Sequence, residues 1–147
     1  MNYENIKTIA NDDSMFINAG NNSTINLLSG TNISSTNKAI TGVYSTRSTV
    51  KNEGTINVTE ESSAGIIGEY SQITNGNPQT KNGVIELSAK KTAGIIANKK
   101  SEVINYGTIE TTAFSVGIGE GLVGISADNS TVINKNKEDS TGMIGTI

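Results

Sequence analysis

The chain of 147 residues has no cysteine, no histidine and no tryptophan, and only one proline. The absence of cysteine excludes disulfides and thiolate metal sites. The absence of histidine removes the commonest general base and the commonest zinc ligand. Aromatic residues make up 4% of the chain and hydrophobic residues 34%. Large side chains are therefore too scarce to fill a thick core between packed layers. No apolar run reaches the roughly 20 residues that span a bilayer, and no amphipathic membrane helix is visible. Met1 to Asp13 lacks the apolar stretch of a secretory signal. The charge is weak: 11 basic residues stand against 14 acidic ones, a net of −3. Nucleic-acid binding needs concentrated Lys and Arg, so it is not expected. The doublets Lys90-Lys91 and Lys99-Lys100 read as solvated turns. The net charge is also too small to force disorder, and β-branched residues are too frequent.

What the chain does have is glycine, 16 residues of it, and an abundance of Asn, Thr, Ser and Ile. Three short motifs recur in a fixed order. The first is small-Gly-apolar: Thr41-Gly42-Val43, Ala64-Gly65-Ile66, Ala93-Gly94-Ile95, Val123-Gly124-Ile125 and Thr141-Gly142-Met143. The second is Ser-x-apolar-x-Asn: Ser14 to Asn18, Ser48 to Asn52, Ser71 to Asn75, Ser101 to Asn105 and Ser130 to Asn134. The third is Gly-Thr-Ile or a variant: Ser23-Thr24-Ile25, Gly54-Thr55-Ile56, Gly83-Val84-Ile85 and Gly107-Thr108-Ile109. The shortest full cycle is 23 residues, as from Val43 to Ile66 and from Ile95 to Ile118. Two stretches break it. One is Gly76-Asn77-Pro78-Gln79-Thr80-Lys81, which is turn chemistry throughout. The other lies between Ile118 and Ile125 and includes Gly119, Glu120, Gly121 and Leu122.

Each motif alternates apolar and polar positions and is bounded by Gly, Asn or Ser, which is a strand pattern. A cycle of 23 residues with three strands leaves no room for a crossover helix. The chain must bend at each turn and lay one coil on the last. The expected fold is all-β: a right-handed, single-stranded parallel β-helix of five to six coils, each of 23–30 residues with three short strands. Residues 1–13 are expected to be irregular or a partial first coil, and residues 14–147 to form the solenoid.

Inward residues should stack like on like. The first expected file is Val43, Ile66, Ile95, Ile125 and Met143. The second is Phe16, Val50, Ile73, Val103 and Val132, and the third is Ile25, Ile56, Ile85 and Ile109. β-Branched side chains suit such a pleated, stacked surface. Asn18, Asn52, Asn75, Asn105 and Asn134 form the expected structural ladder, each amide bonding an identical neighbour. The glycines before Val43, Ile66 and Ile95 are expected where backbones approach closely or bend.

Enzyme chemistry finds little purchase. Gly119-Glu120-Gly121-Leu122-Val123-Gly124 matches a dinucleotide-binding pattern, but no helix follows it as that site requires. The acids are scattered along the chain, so no acidic file is expected. No catalytic residue, cofactor or metal site is expected. The weighed alternative is a carbohydrate-active β-helix enzyme, which needs carboxylates converging in a groove.

Asn52-Glu53-Gly54-Thr55-Ile56-Asn57-Val58, Ser63-Ala64-Gly65-Ile66-Ile67-Gly68 and Ser71-Gln72-Ile73-Thr74-Asn75 together resemble the passenger repeats of type V autotransporters. The likeness is closest to the Asn-x-Gly-Thr-Ile passengers of anaerobic Gram-negative bacteria, over about residues 14 to 147. The resemblance implies a β-helix displayed at the cell surface, attached to the outer membrane or secreted. It also implies adhesion to host cells, other bacteria or matrix. The partner would be a protein or glycan on a cell surface. Without a leader or a terminal barrel, the chain is expected to be a passenger fragment or a truncated product. Exposed strand edges would favour end-to-end self-association. Residues 76–81 and 119–122 are the expected partner-contact loops, because loops on a rigid scaffold usually carry binding.

Overall fold

The computed structural model describes residues 2–3, 6–7, 15–34, 41–111 and 121–135. Every regular element among them is a β-strand, and every strand pairing is parallel. Sheet 1 stacks Met15–Gly20, Thr41–Thr46, Ala64–Glu69, Ala93–Asn98 and Val123–Ala127. Sheet 2 stacks Asn2–Tyr3, Thr24–Leu27, Thr49–Asn52, Gln72–Asn75, Glu102–Asn105 and Thr131–Asn134. Sheet 3 stacks Ile6–Lys7, Asn32–Ser34, Thr55–Val58, Val84–Leu87 and Thr108–Thr111. The chain visits sheets 1, 2 and 3 in rotation. Among the described residues the fold is a parallel β-helix with four complete coils and a partial coil at each end. That is fewer complete coils than the five to six expected. Coil-to-coil separations run from 23 to 30 residues, as expected.

The core is the three inward files. In sheet 1, Ile17, Val43, Ile66, Ile95 and Ile125 are in register. In sheet 2 the file is Ile25, Val50, Ile73, Val103 and Val132. In sheet 3 it is Ile33, Ile56, Ile85 and Ile109. All but Val132 are buried. Burying each contributes roughly 1.5–3 kcal/mol, which offsets chain entropy without aromatic residues.

A glycine stack lets the coils close up. A Cβ on Gly42 would lie 2.7 Å from the Gly65 carbonyl oxygen, and one on Gly65 would lie 2.7 Å from that of Gly94. A Cβ on Gly94 would lie 2.6 Å from the Gly124 oxygen. Real side chains do not fit there, so the first motif needs glycine for close approach.

The first coil departs from the expected register. Ile17, not Phe16, joins the inward stack, and it joins sheet 1. Ile25 belongs to the sheet 2 file and Ile33 takes the sheet 3 place. Phe16 is only partly buried against the core. The error arose because Ser14 to Asn18 fits the second motif by composition alone. Met143 and Ile118 lie outside the described residues, and Ile125 is the residue that pairs with Ile95.

Candidate functional site

Two hydrogen-bonded side-chain ladders hold the corners at either end of sheet 2. At the far corner, Asn52 Nδ2 donates to Asn75 Oδ1 at 2.7 Å. Asn75 Nδ2 donates to Asn105 Oδ1 at 2.8 Å, and Asn105 Nδ2 to Asn134 Oδ1 at 2.9 Å. Asn52, Asn75 and Asn105 are buried. Asn18 is not in this row: it is exposed on sheet 1 and pairs with Tyr44. The place it was expected to hold belongs to Leu27, in register with Asn52.

The near corner carries a serine ladder that the sequence reading passed over. The backbone N–H of Ser48 donates to Ser71 Oγ at 3.3 Å, and that of Ser71 to Ser101 Oγ at 3.0 Å. The N–H of Ser101 donates to Ser130 Oγ at 3.0 Å. Each hydroxyl also donates to a carbonyl two or three residues earlier, as Ser71 does to Glu69 and Ser101 to Asn98. The signal was present, since Ser opens every copy of the second motif.

Immediately before each serine the backbone turns left-handed. Asn22, Arg47, Tyr70, Lys100 and Asn129 have φ of 63°, 48°, 51°, 66° and 47°. Asn tolerates this conformation, whereas for bulky residues it is uncommon and costs about 1–2 kcal/mol. The three middle coils nevertheless place Arg, Tyr and Lys there. Lys99, an extra residue in its coil, is left-handed too. Such outliers persist where surrounding bonds over-determine them, and they point toward function. Here coil-to-coil bonds hold the turn: Arg47 N–H donates to Glu69 O at 2.9 Å, and Lys100 N–H to Asn129 O at 2.7 Å.

The side chains of this corner form an exposed ridge. The Arg47 guanidinium carbon lies 5.4 Å from the Tyr70 ring centroid, within cation–π range. Lys99 Nζ and Glu69 Oε2 form an ion pair at 2.7 Å. That hydrogen bond holds the Lys99 ammonium above its ordinary pKa of 10.5, so it stays charged at neutral pH. Beside the ridge runs an open groove of about 340 Å³, lined by Arg47, Tyr70, Asn22, Thr24, Thr49 and Gln72 among others. Two coils on, Lys100, Glu102 and Thr131 line another.

The insertion after Asn75 is bounded differently from its expected 76–81. Gly76 is buried, and its N–H donates to Asn52 O at 2.7 Å, so it belongs to the coil. Gly83 takes the structural place of Gly54, since Thr108 N–H bonds Gly83 O as Val84 N–H bonds Gly54 O. The excursion is therefore 77–82. Asn77 braces it by accepting from Gln79 N–H, and Asn77 Nδ2 reaches Glu53 Oε1 at 3.4 Å. Pro78, Gln79 and Thr80 are exposed. Lys81 lies back over the coil, its Nζ 5.1 Å from the Tyr106 ring centroid and 3.3 Å from Lys135 O. In the other expected loop, Gly119 and Glu120 lie outside the described residues. Gly121 is exposed, but Leu122 packs partly buried against the core, so it does not project.

One acidic pairing was not anticipated. Glu86 and Glu110 are direct register partners on sheet 3. Their strands lie about 4.8 Å apart. Glu110 is exposed and Glu86 half-buried. Among the described residues no group of three His, Cys, Asp or Glu is placed to hold a metal ion. No described helix is long and apolar enough to cross a membrane. Comparison with protein-family models, curated protein sequences and solved structures finds no match.

Proposed function

We propose that the chain is an adhesive passenger segment of a surface-displayed bacterial autotransporter, attaching the cell to host cells, other bacteria or matrix. The ridge of Arg47, Tyr70 and Lys100 is the observation that carries this reading. Three consecutive coils accept an unfavourable backbone to present large side chains outward. Tyr and Arg are the residue types that dominate binding surfaces. The repeat style of the sequence supports display outside the cell, and the ladders supply a rigid support for it.

Competition tests this. Soluble chain added to cells that carry it should reduce their attachment to a receptive surface in proportion to its concentration. If a folded soluble chain leaves attachment unchanged, the adhesive reading is wrong.

The alternative, a carbohydrate-active enzyme, has the Glu86–Glu110 pair in its favour. Retaining glycosidases hold two carboxyl groups about 5–5.5 Å apart. If this pair is catalytic, reducing ends should appear when polysaccharides are incubated with the chain, and Glu86→Gln should abolish them. If it is not, Glu86→Gln should raise stability by about 0.2–1 kcal/mol, because like charges directly opposite repel.

A further inference from the structure

The groove beside Arg47 and Tyr70 has a more specific chemistry than adhesion in general. Besides those two residues, its walls are hydroxyl and amide groups, from Ser23, Thr24, Thr49, Asn22 and Gln72. No aliphatic side chain lines it. An apolar anchor from a protein partner would find no pocket here, although such anchors dominate protein–protein affinity. A sugar finds what it needs. Its hydroxyls can pair with side-chain amides and hydroxyls, and the C–H face of its ring can lie on an aromatic ring. Tyr70 remains 47% exposed although the Arg47 guanidinium lies over one face of its ring.

Arg47 adds selectivity. Among the described residues the ion pair of this ridge is Lys99 with Glu69, and Arg47 is in no salt bridge. A guanidinium offers a planar fork of donors that matches a carboxylate or sulfate. We infer that this groove binds an acidic saccharide, with its ring against Tyr70 and its anionic group on Arg47. The inference rests on the adhesive reading and names the ligand class for it.

The backbone supplies a clean test. Asn22 and Asn129 occupy the same turn position in other coils and suit its left-handed conformation. Replacing Arg47 or Tyr70 by Asn should therefore keep the turn while removing the recognition groups.

Isothermal titration of the full chain would use three tetrasaccharides. Tetragalacturonate carries carboxylates, a carrageenan-derived tetrasaccharide carries sulfates, and cellotetraose is neutral. At least one acidic probe should bind, and cellotetraose should bind at least about tenfold more weakly, the worth of one charge-assisted hydrogen bond. Whichever acidic probe binds identifies the anionic group. Arg47→Asn and Tyr70→Asn should each weaken that binding about tenfold or more, with melting temperatures equal to or above wild type. The inference is overturned if neither acidic probe binds at millimolar concentration, if cellotetraose binds as well, or if both variants bind like wild type. A lower melting temperature in the variants would overturn it too, because the side chains would then be serving the fold. Cell-attachment competition separates the two failures. Competition without saccharide binding leaves adhesion standing and removes the acidic ligand, whereas loss of both removes both.

Discussion

Asn75 ties its coil to both neighbouring coils. Its amide accepts from Asn52 and donates to Asn105, and it also lies within reach of the Gly83 and Thr108 carbonyls. Asn75→Ala would leave a buried donor on Asn52 and a buried acceptor on Asn105. Chemical denaturation should show a loss of about 2–6 kcal/mol, since each stranded group costs about 1–3. Leu27 offers the converse. It is fully buried and in register with Asn52, whose Oδ1 can accept a second hydrogen bond. Leu87 is buried with Val58 and Thr111 as register partners. Leu27→Asn should therefore destabilise less than Leu87→Asn, by about 1–3 kcal/mol. Equal losses would show that the ladder cannot be extended into the first coil.

At the scale of strands and turns, much was legible because each motif has a physical duty. The alternating Ile and Val specify the inward face, and the glycine of the first motif marks where coils touch. Asn52, Asn75, Asn105 and Asn134 were readable because a buried amide must be satisfied, and a stacked copy satisfies it. Asn18 misled because a five-residue pattern recurs by chance in a chain so rich in Ser and Asn. The left-handed Arg47, Tyr70 and Lys100 were illegible for the opposite reason. Their residue types give no turn signal, and only the backbone shows the strain.

Two predictions belong to this scale. Gly94→Ala should cost about 1–3 kcal/mol, read from the thermal or denaturant midpoint, because its methyl would meet the Gly124 carbonyl. Excising residues 77–82 would leave Asn75-Gly76-Gly83, which restores the Asn-x-Gly pattern of Asn52-Glu53-Gly54 and Asn105-Tyr106-Gly107. Gly76 and Gly83 already lie against each other. The shortened chain should keep its β-sheet circular dichroism and melt within about 4 °C of wild type. Collapse of the fold would show that Asn77 and Lys81 hold the coils together.

For the whole molecule, the division of labour is clear. Stacked Ile and Val, the amide row and the serine row hold the coils together from inside. Solenoids of this kind hold together through nearest-neighbour coils. At the outer corner Arg47 and Tyr70 stand exposed in a left-handed turn that their residue types disfavour. The proposed function requires these side chains to stand outside the cell. An antibody raised against the folded chain and applied to intact cells that make it tests that most directly. Labelling without permeabilisation, and its loss after external protease, are expected. Labelling that appears only once the cells are opened would contradict it.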